Sequence, residues 1–379
     1  QLDEFTAKTV GFRIGGPIVK NKVFFFANAE MQRDETPRPF NAATYTGDAS
    51  TADIQALVTK LKSEYGYDPG TYTNNASYLN SDKVIAKIDW NLSKNHKLSV
   101  RHSYVKAENL QANQSGTTSI NFQNASVYFP STTNSSALEL KSNFGSNMSN
   151  HLTIGATFVN DDRDQAGDPF PFVRISDGAG SIAFGSEEFS TANQLKQDVI
   201  TVTDNFQIFK GRHTFTIGTH NEFYKSYNLF IRQAFGSYNY DSLSGFMNNL
   251  NADNYNVSYS LVDTKVGDGS AGAAEFGGMQ LGVYGQDEFQ ATDRLKLTLG
   301  LRIDMPIFGD ETLENTAFNT TTAGLIEAAG YDLKGAKTGE FIGSSILFAP
   351  RFGFNYDVTG DRSTQLRGGL GIFNSRIPL

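Results

Sequence analysis

The 379 residues include no cysteine. That absence removes disulfide frameworks, thiolate metal sites and cysteine nucleophiles together. Basic clusters are missing too: 32 Lys and Arg are scattered among 40 Asp and Glu, for a net charge of −8. Nucleic-acid binding is disfavoured, because neutralising phosphates needs clustered Lys and Arg. No apolar run approaches the roughly 18 to 20 residues of a membrane-crossing helix. The mean hydropathy of −0.36 looks soluble, yet barrel strands expose only alternate residues to lipid, so averaged hydropathy underestimates them. The chain opens at Gln1 with neither Met nor signal peptide, so it reads as a mature or truncated segment.

What is present points to strands. The sequence holds 36 Gly, 30 Phe and 16 Tyr, with abundant Asn, Ser and Thr. Aromatic and β-branched residues suit a pleated surface, whereas Gly and Asn suit turns. Val84, Ala86, Ile88 and Trp90 alternate with Lys83, Lys87 and Asp89. Leu295, Leu297, Leu299, Leu301 and Ile303 oppose Lys296, Thr298, Arg302 and Asp304 in the same way. Such a period of two puts successive side chains on opposite faces.

Carried along the chain, this pattern predicts about twelve strands, near 10–18, 22–32, 82–91, 96–106, 135–145, 151–160, 196–209, 212–225, 277–290, 294–305, 346–358 and 363–374. Several approach the roughly 9 to 11 residues that a tilted strand needs to cross a bilayer. Short turns near 19–21, 92–95, 146–150, 210–211, 291–293 and 359–362 alternate with long connections near 33–81, 107–134, 161–195, 226–276 and 306–345. That parity sends every long loop to one end. Outer-membrane barrels do this, with short periplasmic turns and long extracellular loops. A soluble sandwich explains the alternation but not the parity. The expected fold is an all-β, transmembrane, antiparallel up-and-down barrel. Its first strand would run toward the periplasm, and its open ends suggest an arc of a larger barrel.

Three loop segments carry helix signals. Ser50-Thr-Ala-Asp53 resembles a capping box, followed by Ile54, Leu57, Val58 and Leu61 at helical spacing. A second helix is expected from Asp241, with Leu243, Phe246, Met247 and Leu250 on one side, and a third over 322–329.

No catalytic constellation stands out, and the expectation is a protein without enzymatic activity or cofactor. His96, His102, His151, His213 and His220 are scattered, and a metal site needs converging ligands. Asp161, Asp162, Asp164 and Asp168 lack the spacing and Gly of a calcium loop, so a solvated acidic loop is the better reading. The Gly-rich stretch 267–278 does not link a strand to a helix, which argues against phosphate cradling. One loop stands above background. Tyr227, Phe235, Tyr238, Tyr240, Tyr255 and Tyr259 lie among Asn and Ser. Tyr in such company is a good recognition composition, since it supplies contact area at low entropic cost. These residues are the candidate substrate contacts; aromatic edges of strands projecting past the membrane are the alternative.

The segment Gly11-Phe-Arg-Ile-Gly-Gly-Pro-Ile-Val-Lys-Asn-Lys-Val-Phe-Phe-Phe26 resembles the opening of the barrel in Oar-like TonB-dependent receptors. Tyr284-Gly-Gln-Asp-Glu-Phe289 with Thr292-Asp-Arg-Leu-Lys-Leu-Thr-Leu-Gly-Leu-Arg302 is similar to the same family. So is Phe348-Ala-Pro-Arg-Phe-Gly-Phe-Asn-Tyr356 running on to Leu366-Arg-Gly-Gly-Leu-Gly-Ile-Phe373. The resemblance spans nearly the whole chain. It implies a barrel of about 22 strands in the outer membrane of a Gram-negative bacterium, with a plug coupled through a TonB box to an energised inner-membrane complex. Residues 1–379 would then be a partial barrel domain, with plug, TonB box and last strands not visible. The implied partners are membrane lipid, the TonB complex through the plug, and an extracellular substrate of unknown identity. A passive porin and an adhesive or structural surface barrel are the alternatives.

The motifs also carry structural expectations. Gly15-Gly16-Pro17 should mark a bulge or close approach near a strand end. Phe24, Phe25, Phe26, Trp90 and Phe289 lie near short turns, where an aromatic girdle belongs. Arg302 and Arg367 should face the lumen, Arg302 pairing with a barrel acid such as Asp304.

Overall fold

The computed structural model describes residues 4–263, 269–309, 314–340 and 343–375. Strands β1 (Thr6–Val19) and β2 (Val23–Thr36) form the first hairpin. Helix α1 (Thr51–Tyr65) lies in the connection to β3 (Ser77–Asn91) and β4 (His96–Gln111). A short β5 (Ser119–Asn121) precedes β6 (Val127–Phe144) and β7 (Met148–Gln165). A small hairpin of β8 (Phe172–Asp177) and β9 (Gly180–Phe184) leads to β10 (Asn193–Lys210) and β11 (His213–Phe230). The next connection holds β12 (Ser237–Tyr240), helix α2 (Leu243–Met247) and β13 (Asn254–Asn256), before β14 (Ala274–Gln290) and β15 (Leu295–Phe308). Helix α3 (Ala323–Ala328) precedes β16 (Leu347–Asp357) and β17 (Gln365–Gly371).

The twelve long strands make one sheet, ordered β1-β2-β3-β4-β6-β7-β10-β11-β14-β15-β16-β17. Every neighbouring pair is antiparallel. All twelve match expected strands, and the short turns fall where the sequence placed them. The loop ends differ. β6 begins at Val127 rather than near 135, β3 at Ser77 rather than 82, and β11 runs to Phe230 rather than 225. Strands of 14 to 18 residues exceed what a bilayer requires. Past the lipid, no apolar face is imposed, so the hydrogen-bonded ladder continues after the alternation stops.

The faces sort by chemistry. Val84, Ile88, Trp90, Val100, Ile154, Ile200, Ile217, Val283, Leu299 and Leu301 are exposed on one face. The other carries ion pairs: Lys83–Glu30 at 2.9 Å, Lys141–Glu139 at 2.8 Å and Lys296–Glu288 at 2.8 Å. On the polar face Tyr284 covers Gly218, where an added Cβ would lie 2.5 Å from its ring. Its hydroxyl reaches past that glycine to donate to Asn205 Oδ1, 2.6 Å away. Arg302 lies over the same ring and pairs with the buried Asp304 at 2.7 Å. Arg367 bonds Gln365. Apolar outside and polar inside is the inverse of a soluble core, and is what a lipid-embedded wall requires.

The expected girdle needs correction. Phe25 pairs with Ile88 on the apolar face, but Phe24 and Phe26 pair with Asp89 and Lys87 on the polar one. Three consecutive residues of a strand cannot share a face. Trp90 and Phe289 do lie on the apolar face, beside the turns. The bulge expected at Gly15-Gly16-Pro17 is present as a register shift between Pro17 and Val19.

Candidate functional site

The long connections are not structureless. Their five short strands form a second sheet, ordered β13-β12-β8-β9-β5. It joins segments from three different loops, with parallel pairings β12–β8 and β5–β9. Helices α1 and α2 pack on it. Ile54, Leu57 and Leu61 from α1 meet Ile120, Phe122, Val173, Ile175, Ile182 and Phe184 from the sheet region, with Phe246 from α2. The amphipathic spacing of α1 therefore turns into a buried stripe (Leu57 and Leu61 are inaccessible) facing this core. Among the described residues this is the main buried apolar cluster. It lies in the loops, at the long-loop end of the wall. The result is a folded cap.

Aromatic rings knit it together. Tyr67 stacks on Phe170 at 4.2 Å, Phe184 meets Phe246 edge-on at 5.5 Å, and Tyr240 meets Phe246 edge-on at 5.2 Å. Polar ties cross between loops. The Tyr45 hydroxyl donates to Asp177 Oδ2 at 2.9 Å, and Ala49 N–H donates to the same oxygen at 3.0 Å. Asn75 donates to the carbonyls of Asn113 and Asn121, both at 2.7 Å. Ser237 donates to Glu188 at 3.2 Å. Burial pushes the Tyr67 phenol up to about 12. Burial, then the bond to Asp177, raises Tyr45 as well.

The six candidate contact residues take different positions. Tyr238 and Tyr255 pair across β12–β13, with ring centroids 4.4 Å apart. Tyr238 and Tyr240 pack against the cap core. Tyr255 and Tyr259 are open to solvent, 51% and 71% exposed, and Phe235 is 38% exposed. Tyr227 stands apart on β11, with the Lys196 ammonium 5.1 Å above its ring. The structure thus brings Tyr238, Tyr240 and Tyr255 together and leaves Tyr227 outside that group.

Four of the five histidines bond locally: His151 to Glu139 at 2.5 Å, His213 to Asp287 at 2.8 Å, His102 to Ser136 at 2.9 Å and His220 to Thr203 at 2.7 Å, while His96 meets the Phe144 ring edge-on. Asp161, Asp162 and Asp164 sit in β7, where alternation splits them between faces. No group of three or more possible metal ligands occurs among the described residues. Gly267 lies outside the described residues; Ser270–Gly272 forms a single 3-10 turn before β14.

Sequence reasoning missed two clefts where wall and cap meet. One, of about 350 Å³, is lined by Gln111, Asn113, Phe172, Arg174, Glu187 and Glu188, among others. The other, of about 370 Å³, lies between Asp34, Ser77, Tyr78, Asn109 and Gln114. Both pair the loop end of a long strand with residues far away in sequence. No local pattern marks such a place.

The model of the outer membrane beta barrel domain matches residues 1–77 and 63–379. This chain belongs to that family. It is an outer-membrane β-barrel protein of a Gram-negative bacterium, so the apolar face meets lipid, the polar face lines the lumen and the cap is extracellular. No curated protein matches it. Among solved structures, it resembles the outer membrane transporter YddB from Escherichia coli, with 12% identity and a TM-score of 0.59, over 97% of this chain and 38% of that one. It also resembles the siderophore receptor PirA from Acinetobacter baumannii, with 12% identity and a TM-score of 0.51, over 97% of this chain and 40% of that one. At these identities the likeness is one of fold. The barrel protein described here spans less than half the length of either.

Proposed function

We propose that this chain is an arc of the barrel of a TonB-dependent importer of the Oar-like branch, which binds a scarce nutrient at its extracellular cap. The observation that carries this reading is the cap itself. Four loops spend a hydrophobic core, cross-loop hydrogen bonds and a second sheet on a folded structure at the long-loop end of the wall. An open diffusion pore gains nothing from such a structure, whereas a receptor must present a shaped surface to its ligand. The twelve strands form an open order with β1 and β17 at its edges, which suits part of a 22-stranded, plugged barrel. The role proposed is recognition and transport rather than catalysis. The exposed Tyr255, Tyr259 and Phe235, together with the two clefts, are the proposed contacts.

Energy coupling provides the test. Uptake of the cognate nutrient should collapse when the producing cells lose TonB or are treated with a protonophore, while the barrel stays in the membrane. Uptake that continues unchanged would identify a passive porin. Surface binding without any uptake would identify an adhesive barrel.

A further inference from the structure

The lipid-facing wall is not uniform. Across β10, β11, β14, β15 and β16 the register places Phe206, Ile217, Gly285, Leu301 and Pro350 in one row. Gly285 interrupts the row, and a Cβ built there would meet no atom within 4 Å. A groove of about 1010 Å³ opens around it, walled by Phe215, Ile217, Leu299, Leu301, Phe352 and Leu370, with Asp287 also lining it. It spans positions from two to about eight residues away from the short turns, hence the periplasmic half of the bilayer.

The end near the turns is polar. In the next row toward the periplasm, Asp287 stands between Phe215 and Leu299. An acid on a lipid-facing strand is costly unless its charge is met. Asp287 Oδ2 bonds His213 Nδ1 at 2.8 Å, while Oδ1 is buried without a hydrogen-bond partner. The soft terminal torsion of an aspartate lets that oxygen turn toward an incoming donor. At the adjoining turns stands Arg212, whose side chain is 58% exposed and held by the Ala291 carbonyl and Asp293, each at 3.3 Å.

From this geometry we infer that the groove seats one phospholipid of the periplasm-facing leaflet, and that its headgroup carries both a phosphate and an ammonium. One acyl chain fills the dip at Gly285. The ammonium meets Asp287 Oδ1 once that torsion turns it toward the groove, and the phosphate meets Arg212. An anionic head without an amine would satisfy Arg212 but place negative charge beside Asp287. The occupant is therefore zwitterionic, as in phosphatidylethanolamine.

Native mass spectrometry of the protein purified from outer membranes tests this, with phosphatidylethanolamine and phosphatidylglycerol added at equal concentration. The expected result is a single bound phosphatidylethanolamine, favoured at least fivefold over phosphatidylglycerol. Gly285→Leu should lower the bound fraction at least fivefold, while heat-modifiable gel mobility confirms an assembled barrel. Asp287→Asn should keep lipid bound but bring the preference close to one. Equal retention of the two lipids by the unaltered protein would overturn the proposal. So would equal phosphatidylethanolamine retention by the unaltered protein and an assembled Gly285→Leu. If Gly285→Leu does not assemble, the ratio measured on Asp287→Asn decides alone: a preference that survives that change overturns the assignment.

Discussion

At the scale of single residues, the cap depends on positions where one atom too many is fatal. Gly185 has φ of +98°, and a Cβ there would fall 2.0 Å from the Pro171 carbonyl oxygen. Both the backbone conformation and the close approach require glycine. Gly185→Ala should destabilise the cap by well over about 1 kcal/mol, seen as protease sensitivity of the loops with normal barrel assembly. Tyr67 gives a pH signature. Its phenol holds its proton to about 12 in the folded cap, whereas an unfolded chain releases it near 10. Its contribution is complete below pH 10. Between 10 and 12 the unfolded chain sheds a proton that the folded cap retains, so stability falls as pH rises. Calorimetry at pH 9 and 11 should show the cap transition dropping, and dropping less in Tyr67→Phe. The exposed Tyr255 and Tyr259 differ from Tyr240, which leans on Phe246. Tyr255→Ala with Tyr259→Ala should weaken nutrient binding and, through the lost Tyr238 contact, lower the melting temperature only slightly, whereas Tyr240→Ala should lower both strongly. An unaltered affinity in the double variant would remove these tyrosines from the contact surface.

At the scale of elements, legibility follows from what each segment must satisfy locally. A strand in lipid needs an apolar residue at every second position, so Leu295, Leu297, Leu299 and Leu301 announce β15 without reference to any partner. Helix α1 announces itself through its own end: Ser50 Oγ accepts from Asp53 N–H at 3.2 Å, and Asp53 accepts from Ser50 N–H at 2.8 Å. Ser50→Ala should cost about 1 kcal/mol of cap stability, measurable as a small shift of the cap transition. Asp241 and its followers likewise foretold α2, whose Phe246 is buried while Leu250 remains open. The second sheet gave no such warning. Its strands have three to six residues, too short for a period to register. Its parallel pairs join Ser119 to Ser181 and Ser237 to Phe172. Such contacts are specified by packing across loops rather than by any one loop's pattern. The aromatic girdle held only in part: Phe25, Trp90 and Phe289 take the apolar face, whereas strand alternation sends Phe24 and Phe26 to the polar one.

At the scale of the whole molecule, the wall and the cap obey different solvents. The wall is held by continuous backbone ladders and turns its apolar side chains to lipid, so it has little hydrophobic core to lose. The cap sits in water and is held by a core of the ordinary soluble kind, built around Leu57, Leu61, Ile175, Ile182 and Phe184. Two such units should unfold separately. Leu57→Ala deletes buried methyl groups from a site with no solvent access, which costs roughly 2 to 5 kcal/mol. That loss is comparable to the whole stability of a small domain. Hydrogen exchange should then show fast labelling throughout α1, β8, β9 and β12, with β3, β4, β6 and β7 as protected as before. Nutrient binding should fall with the cap, because the exposed tyrosines keep their positions only while that core is intact. If labelling instead spread evenly into the long strands, cap and wall would be a single cooperative unit. The cap would then be a rigid extension of the barrel, not a separately folded receptor head.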